Sequence, residues 1–234
     1  MAEIFDVTAT THAYGGEVIA RLPDGRRVFI PFGLPGERLR VELVEEKRGF
    51  ARARLLEVLE PSPVRIAPRC THFGVCGGCH YQHMPYEAQL AAKAAILSEQ
   101  IERIGGITAP PIQQIAPSPN DFSYRNHIQF HLSPQGLLGF HKARSEEVLE
   151  IVECCLPEPA ISAVWPQLQF EPGLDIKRIG LRCGSDDDLQ ISLECDESPE
   201  LSVEDLPVSV VHLSPSGPLV LAGSPAVEIE VLER

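Results

Sequence analysis

One stretch of ten residues restricts the folds that this chain can adopt. It reads Cys-Thr-His-Phe-Gly-Val-Cys-Gly-Gly-Cys and places three thiols close together, at Cys70, Cys76 and Cys79. Thiolates at such close spacing repel one another unless a cation or a cluster neutralises them. A fourth thiol would complete a four-cysteine site, and either Cys154 or Cys155 can supply it. The stretch therefore predicts a metal site that joins distant parts of the chain.

The metal itself is left open by the spacing. Four thiolates suit both zinc and an iron–sulfur cluster, so ligand softness alone does not separate the two. Zinc is favoured if Cys79 and His83, four residues apart, end a site of three cysteines and one histidine. A triplet followed by one distant cysteine favours an iron–sulfur cluster. Cys183 and Cys195 lie in predicted strands, where we expect buried core thiols.

Charge is distributed unevenly along the chain. The net charge is −13, yet residues 1–69 carry 11 basic and 10 acidic side chains, whereas residues 154–234 carry 4 and 15. Such asymmetry indicates that the two ends of the chain face partners of different charge, so we expect any nucleic acid to face the amino-terminal part. No apolar run is long enough to span a membrane and the first residues are acidic. A cytoplasmic protein without a membrane partner is therefore expected.

The order of apolar and turn-forming residues predicts an α+β fold. Residues 1–60 read as five short strands with turns between them, which indicates an OB-like β-barrel that is closed or partly closed. Residues 61–84 form a linker and the cluster-binding segment, and residues 85–107 hold the clearest helix. Residues 108–234 read as a mixed, largely antiparallel α+β central domain, with a four-cysteine cluster site in the fold.

The predicted helix runs from Tyr86 to Ile104, after a proline and before two glycines. Its apolar residues recur every three or four positions and predict one packing stripe. The stripe consists of Leu90, Ala94, Leu97, Ile101 and Ile104.

Basic and aromatic side chains mark two candidate RNA contacts. In the barrel they are Arg26, Arg27, Lys47 and Arg48, near three phenylalanines. In a predicted hairpin they are Tyr124, Arg125, Asn126, Lys142 and Arg144. Tyrosine could stack on a base while arginine and lysine meet phosphates. A solvated charged surface explains the same residues almost as well, because acidic side chains are equally numerous in the barrel.

Several motifs in chain order carry a family resemblance. After the strand-rich amino-terminal part come Cys-x5-Cys-Gly-Gly-Cys, His-Tyr-Gln-His at 80–83, Tyr-Glu-Ala-Gln-Leu at 86–90 and Tyr-Arg-Asn at 124–126. The chain resembles the RNA uracil-5-methyltransferases, which modify ribosomal or transfer RNA. The resemblance implies a TRAM domain that binds RNA at residues 3–60. It also implies a 4Fe-4S cluster held by Cys70, Cys76, Cys79 and Cys154, and S-adenosylmethionine as methyl donor. By the same resemblance, the helix at residues 85–107 is expected to pack towards a catalytic domain.

The chain departs from this family in one respect. The family's catalytic domain, a doubly wound domain that binds S-adenosylmethionine, follows the central domain, and the sequence ends at Arg234 before any such pattern. We therefore assign no catalytic residue and expect the chain alone to be inactive. The predicted function is the RNA-recognition and 4Fe-4S-bearing portion of the enzyme, whose partners are structured rRNA or tRNA and a separately encoded methyltransferase domain. The alternative is a stand-alone RNA-binding metalloprotein with an iron–sulfur or zinc site.

Overall fold

The structure, a computed structural model, describes residues 3–186, 188–199 and 207–230. The chain divides into two compact units. The first unit comprises residues 1–74 and 79–117, and the second unit comprises residues 75–78 and 118–234. Each unit has its own hydrophobic core.

Six strands build the sheet of the first unit, in the spatial order β1-β5-β6-β4-β3-β2. All neighbours are antiparallel except β4 and β6, which run parallel. The strands are β1 (Ile4–Thr8), β2 (Thr11–Ala13), β3 (Glu17–Arg21), β4 (Arg27–Pro31), β5 (Arg38–Glu46) and β6 (Phe50–Glu60).

The sheet curls strongly, but its described strands do not close into a barrel. Strands β1 and β2 lie at opposite edges although only Ala9 and Thr10 separate them in sequence. Six flat strands would place those edges about 24 Å apart, whereas the short connection spans roughly 10 Å at most. The edges therefore approach each other, yet no ladder joins β1 to β2 among the described residues. The sequence predicted a closed or partly closed barrel, and the described strands form no closed barrel, because β1 and β2 each pair with one neighbour only.

Alternation along the strands separates a core face from an outer face. Val28 and Ile30 of β4 and Ala51 and Ala53 of β6 are almost completely buried. The residues between them on each strand are charged or aromatic and project to the other side. The inner face holds the core of this unit, and the outer face carries most of its arginines.

Helix α1 spans Tyr86–Gly105 and ends on Gly106, whose φ of 67° lies in the left-handed region. The predicted helix is confirmed, and the packing of its apolar stripe towards a catalytic domain stays a prediction. Ala92 and Ile96 are its buried residues, and Ala92 packs with Leu34 in a small apolar cluster. Leu97 and Ile104, two members of the predicted stripe, are 47% and 71% exposed.

Seven strands form the sheet of the second unit, in the order β13-β12-β11-β10-β7-β8-β9. Only the β11–β12 pair is parallel, which fits the predicted, largely antiparallel α+β domain. The strands are β7 (His127–Leu132), β8 (Leu138–His141), β9 (Val148–Glu150), β10 (Ile176–Cys183), β11 (Leu189–Cys195), β12 (Val208–Ser214) and β13 (Gly217–Ala222).

The core of the second unit lies between this sheet and a short helix. Helix α2 covers Pro159–Val164 and is followed by one 3-10 turn, Trp165–Gln167. Phe130 is fully buried there; its ring stacks on Phe140 and contacts Trp165, with centroid distances of 5.0 and 5.4 Å. The buried thiols predicted at Cys183 and Cys195 are confirmed, since both are less than a tenth exposed. Alternating apolar residues from 227 to 232 also predict a strand; residues 227–230 form none, and the rest lies outside the described residues.

Candidate nucleic-acid interface

The four basic residues predicted to meet RNA in the first unit differ in their surroundings. Arg26 donates to Asp24 at 2.6 Å and to Glu46 at 2.9 Å. Lys47 forms an ion pair with Glu45 at 3.2 Å. Arg27 and Arg48 are exposed and, within the part of the chain that the structure describes, have no carboxylate within 4 Å. Because no described carboxylate competes for these two guanidinium groups, they are the best placed of the four basic groups to bind a phosphate.

Two phenylalanines and one arginine lie together on the outer face of the same sheet. The rings of Phe29 and Phe50 pack edge to face, with centroids 5.8 Å apart. The guanidinium carbon of Arg52 lies 5.5 Å from the Phe29 centroid and 6.0 Å from that of Phe50. All three side chains are partly exposed. The patch is a partly apolar aromatic surface beside positive charge.

In the second unit, backbone hydrogen bonds fix the segment that carries the predicted tyrosine. The N–H groups of Tyr124 and Arg125 both donate to the carbonyl of Leu156, at 3.0 and 2.9 Å. The carbonyl of Asn126 accepts from the N–H of Cys183 at 2.8 Å. Tyr124 and Arg125 nevertheless stay exposed. The segment is thus held rigidly while these two side chains face solvent.

The other two predicted hairpin contacts follow strand β8. Lys142 forms an ion pair with Glu147. Arg144 is exposed, and its φ of 58° places it in the left-handed region that non-glycine residues rarely adopt. The roles of these residues in RNA contact stay predictions.

The cysteine stretch is shared between the two units. In the first unit Gln82, which is 8% exposed, connects two of its positions. Its Oε1 accepts from the N–H of Cys70 at 3.0 Å, and its Nε2 donates to Sγ of Cys79 at 3.2 Å. Gln82 therefore fixes the Cys70 backbone and gives the Cys79 sulfur a hydrogen-bond donor.

In the second unit the stretch packs along the end of strand β8. Cys76 forms an isolated bridge with Lys142, and the N–H of Gly77 donates to the carbonyl of His141 at 3.1 Å. A Cβ on Gly77 would come within 3.2 Å of that same carbonyl oxygen. Close backbone approach, rather than a left-handed turn, is thus what this glycine permits. The fourth predicted thiol, Cys154, packs against the core of the second unit.

Comparison with known proteins identifies a known domain within the first unit. Residues 3–56 match the TRAM domain. An uncharacterised RNA methyltransferase from Aquifex aeolicus is 36% identical over 163 residues, which are 70% of this chain and 38% of that protein. The 23S rRNA (uracil(1939)-C(5))-methyltransferase RlmD of Photorhabdus laumondii is 37% identical over 161 residues, 68% of this chain and 36% of that protein. The chain thus spans somewhat more than a third of the length of these relatives.

A solved structure shares the fold. The tRNA (uracil-54, C5)-methyltransferase of Pyrococcus abyssi, determined in complex with S-adenosyl-L-homocysteine, aligns with a TM-score of 0.57 at 20% identity. The alignment covers 96% of this chain and 54% of that one. Both described units therefore have counterparts in that enzyme's fold.

No helix among the described residues is long and apolar enough to cross a membrane.

These findings correct the function predicted from the sequence. We expected an RNA-recognition and 4Fe-4S-bearing portion without a catalytic domain, or else a stand-alone metalloprotein. Matches along most of the chain are to RNA methyltransferases, so a function defined by the lack of catalysis is wrong. The described residues contain no group of three or more His, Cys, Asp or Glu side chains that could hold a metal ion.

The four cysteines predicted to hold a cluster are divided between the two units. Cys70 and Cys79 belong to the first unit, whereas Cys76 and Cys154 belong to the second. Ligation by these four thiols stays a prediction.

Sequence reasoning missed a buried ion pair that joins the TRAM region, as we call residues 3–56, to a residue that follows it. The side chain of Glu37 is fully buried and accepts two hydrogen bonds from Arg65, at 2.5 and 2.7 Å. The N–H groups of Leu34 and Ser62 donate to the same carboxylate. Burial raises the pKa of Glu37, but these four hydrogen bonds outweigh it and leave that pKa below its usual value. No hydrophobic periodicity could have indicated this pair, because both members read as surface charges.

His83 is a second buried polar group of the first unit. Its Nε2–H donates to the carbonyl of Gly33 at 3.3 Å, and its Nδ1 is buried without a hydrogen-bond partner among the described residues. The pKa of His83 is lowered to about 4, mainly by burial; the hydrogen bond to Gly33 and the charge of Glu37 oppose this shift, and the charge of Arg65 adds to it. His83 is therefore neutral in the folded protein at physiological pH.

The neutral state of His83 predicts a pH dependence of stability. A histidine whose pKa is lower when folded stabilises the fold above its unfolded pKa of about 6.5, and that contribution is lost as the pH falls towards 4. Between pH 7 and pH 5 the wild type should lose about 2 kcal/mol of its free energy of unfolding through His83, and the His83→Gln variant should not show this loss. Urea unfolding of both proteins across this range measures it. Parallel curves for the two proteins would refute the assignment.

Proposed function

We propose that this protein is an S-adenosylmethionine-dependent RNA methyltransferase that modifies C5 of a uridine in structured RNA, either rRNA or tRNA. The match of residues 3–56 to the TRAM domain is the observation that carries the RNA-binding part of the proposal. The methyl transfer rests on the similarity to RNA methyltransferases along most of the chain. The bound S-adenosyl-L-homocysteine in the structural relative supports the methyl donor.

The electrostatics of the first unit support RNA as the partner. The chain as a whole has a net charge of −13, which opposes contact with a polyanion. The TRAM region counters this locally, because Arg27 and Arg48 lie exposed and unmatched by carboxylates within the described residues. Arg38 and Arg40, by contrast, are matched by Asp6 and by further acids. We infer that RNA approaches the face that carries Arg27 and Arg48.

The remaining predicted residues keep their predicted roles in the proposal. Tyr124 and Arg125 would contact RNA from the second unit, where their backbone is fixed and their side chains are exposed. The helix at residues 85–107 would pack on a catalytic domain through the exposed Leu97 and Ile104. Metal ligation by the four cysteines is a separate prediction, and no part of the RNA-binding proposal depends on it.

Salt dependence tests the RNA-binding part. We expect the affinity for a structured RNA fragment to fall as salt rises, because each phosphate neutralised by arginine releases counterions. The double variant Arg27→Gln, Arg48→Gln should flatten the plot of log affinity against log salt by about 1.5 to 2 units, one for each lost phosphate contact. Fluorescence anisotropy with a labelled RNA hairpin measures both quantities.

Arg38→Gln is the matched control for this experiment. It removes one positive charge from the same sheet, but from a side chain already paired with Asp6 and Glu60. Its slope should stay close to that of the wild type. Equal slopes for the control and the double variant would count against the proposed face, and no salt dependence in the wild type would count against RNA binding.

A further inference from the structure

We propose that the outer face of strands β4 and β6 binds one unpaired RNA base, stacked on Phe29 and Phe50 beside Arg52. The proposal deepens the proposed function and rests on it, since it names the element of RNA that the TRAM region recognises. The site takes a nucleobase that is not engaged in a duplex.

The register of the two strands places these side chains together. In the parallel pair β4–β6, Phe29 lies opposite Arg52, and Arg27 lies opposite Phe50. Side chains two residues apart on a strand share a face, so all four project from the same side of the sheet. The other side is the core, where Val28 is fully buried. Two aromatic rings therefore lie on the outer face of adjacent strands, although the packing of the core does not need them there.

Two glutamates hold the guanidinium group of Arg52 in place. Its Nη1 donates to both carboxylate oxygens of Glu17 at 2.9 Å, and its Nε lies 3.7 Å from Glu45. The Glu17 side chain is only 7% exposed, although it lies on the outer face of the sheet. A buried carboxylate is costly unless a charged partner compensates it. Glu17 therefore holds Arg52 against the two rings instead of leaving it mobile in solvent.

A guanidinium group held beside aromatic rings adds to the surface on which a base can stack. Because Arg52 is already matched by two carboxylates, it is poorly suited to bind a phosphate. Its plane and the ring faces remain partly exposed, and planar guanidinium groups stack on bases as aromatic rings do. The unmatched Arg27 flanks the patch on the same face and can meet the phosphate next to a stacked base.

These features favour an unpaired nucleotide over a duplex. Bases within a double helix stack on one another and expose no face to a protein, whereas single strands and loops can place a base on aromatic side chains. Positive charge beside the rings also complements the RNA backbone. The patch therefore predicts a preference for loops or single-stranded segments.

Conservative variants of the full 234-residue chain test the platform. Phe29→Leu and Phe50→Leu keep apolar volume but remove the ring faces. Each should weaken binding of a single-stranded RNA of about twelve nucleotides by roughly 5- to 100-fold, the range measured when one base–aromatic stack is lost. Binding of an RNA duplex of equal length should change by less than about 2-fold, because a duplex offers no base to the platform.

Phe5→Leu is the matched control, since Phe5 packs against the core of the same sheet and should leave the affinity for the single strand unchanged. Photocrosslinking of the wild type with RNA that carries 5-iodouridine gives a second readout that needs no variant. Crosslinks should map to the peptides that contain Phe29 or Phe50. If the wild type binds RNA while both variants bind equally well, or if the crosslinks map elsewhere, the platform is refuted and RNA binding stands. If the wild type binds no RNA, the proposed function fails and the platform fails with it.

Discussion

Replacement of Arg65 by alanine is expected to destabilise the first unit by about 3–5 kcal/mol at neutral pH. The variant leaves the carboxylate of Glu37 buried without its charged partner, which is the costly way to break such a pair. It also removes the donor at 2.8 Å to the carbonyl of Phe32, whose φ of 62° is strained for a non-glycine residue. Urea unfolding followed by far-UV circular dichroism measures the loss.

The pH dependence of this variant distinguishes the mechanism. In the wild type the pKa of Glu37 is lowered, so its contribution is present above the unfolded pKa of about 4.3 and is lost at lower pH. Without Arg65, burial dominates and Glu37 takes up a proton more readily. The difference between variant and wild type should therefore shrink as the pH falls towards 4.

Arg54→Ala is the control for charge removal alone. Arg54 also pairs with a glutamate, Glu42, but its side chain is 66% exposed. Exposed pairs contribute about 1 kcal/mol or less. A loss below about 1 kcal/mol in Arg65→Ala, or one as small as that of the control, would show that the buried pair does not stabilise this unit.

Phe130→Ala should cost the second unit about 3–5 kcal/mol, because it removes a fully buried ring and leaves a cavity between Phe140 and Trp165. Trp165 is the only tryptophan of the chain and is 5% exposed. Its fluorescence therefore reports the unfolding of this unit directly. We expect a lower urea midpoint and a red-shifted emission already in the folded variant.

Leu137→Ala tests whether the effect is specific to the core. Leu137 lies in the turn between β7 and β8 and is 53% exposed. Its truncation should change the free energy of unfolding by less than about 0.5 kcal/mol. Equal effects of the two variants on the Trp165 transition would contradict the packing described for Phe130.

Local patterns were sufficient to predict most elements of the second unit. The predicted strands that contain Cys183 and Cys195 are present as β10 and β11, because alternating apolar residues flank a turn rich in glycine and aspartate. The helix that begins at Tyr86 was equally clear, since a proline precedes it and glycines follow it. Signals of this kind depend only on neighbours in sequence.

Tertiary choices were harder to predict. Two faces of helix α1 carry apolar residues, and the sequence favoured the one with Leu97 and Ile104. The structure instead packs the face with Ala92, because small residues allow the helix to approach Leu34 closely. Likewise, a closed or partly closed barrel was expected, yet among the described strands no ladder joins the edge strands β1 and β2. Periodicity identifies an apolar face but not its partner.

The candidate site shows the same limit. Basic residues were predicted from composition, but the sequence does not reveal that Arg26 and Lys47 are paired with acids while Arg27 and Arg48, among the described residues, are not. Nor does it reveal that Glu17, distant in sequence, fixes Arg52 against two rings. Those contacts depend on strand register, which only the fold supplies.

The most direct test of the central proposal is the modification state of cellular RNA. Deletion of the gene should remove a 5-methyluridine from rRNA or tRNA, as measured by mass spectrometry of digested RNA and by mapping of the affected fragment. A copy of the gene with Arg27→Gln and Arg48→Gln should restore the modification less fully than the wild-type gene does. Unchanged 5-methyluridine at every position in the deletion strain would contradict the proposed methyltransferase function.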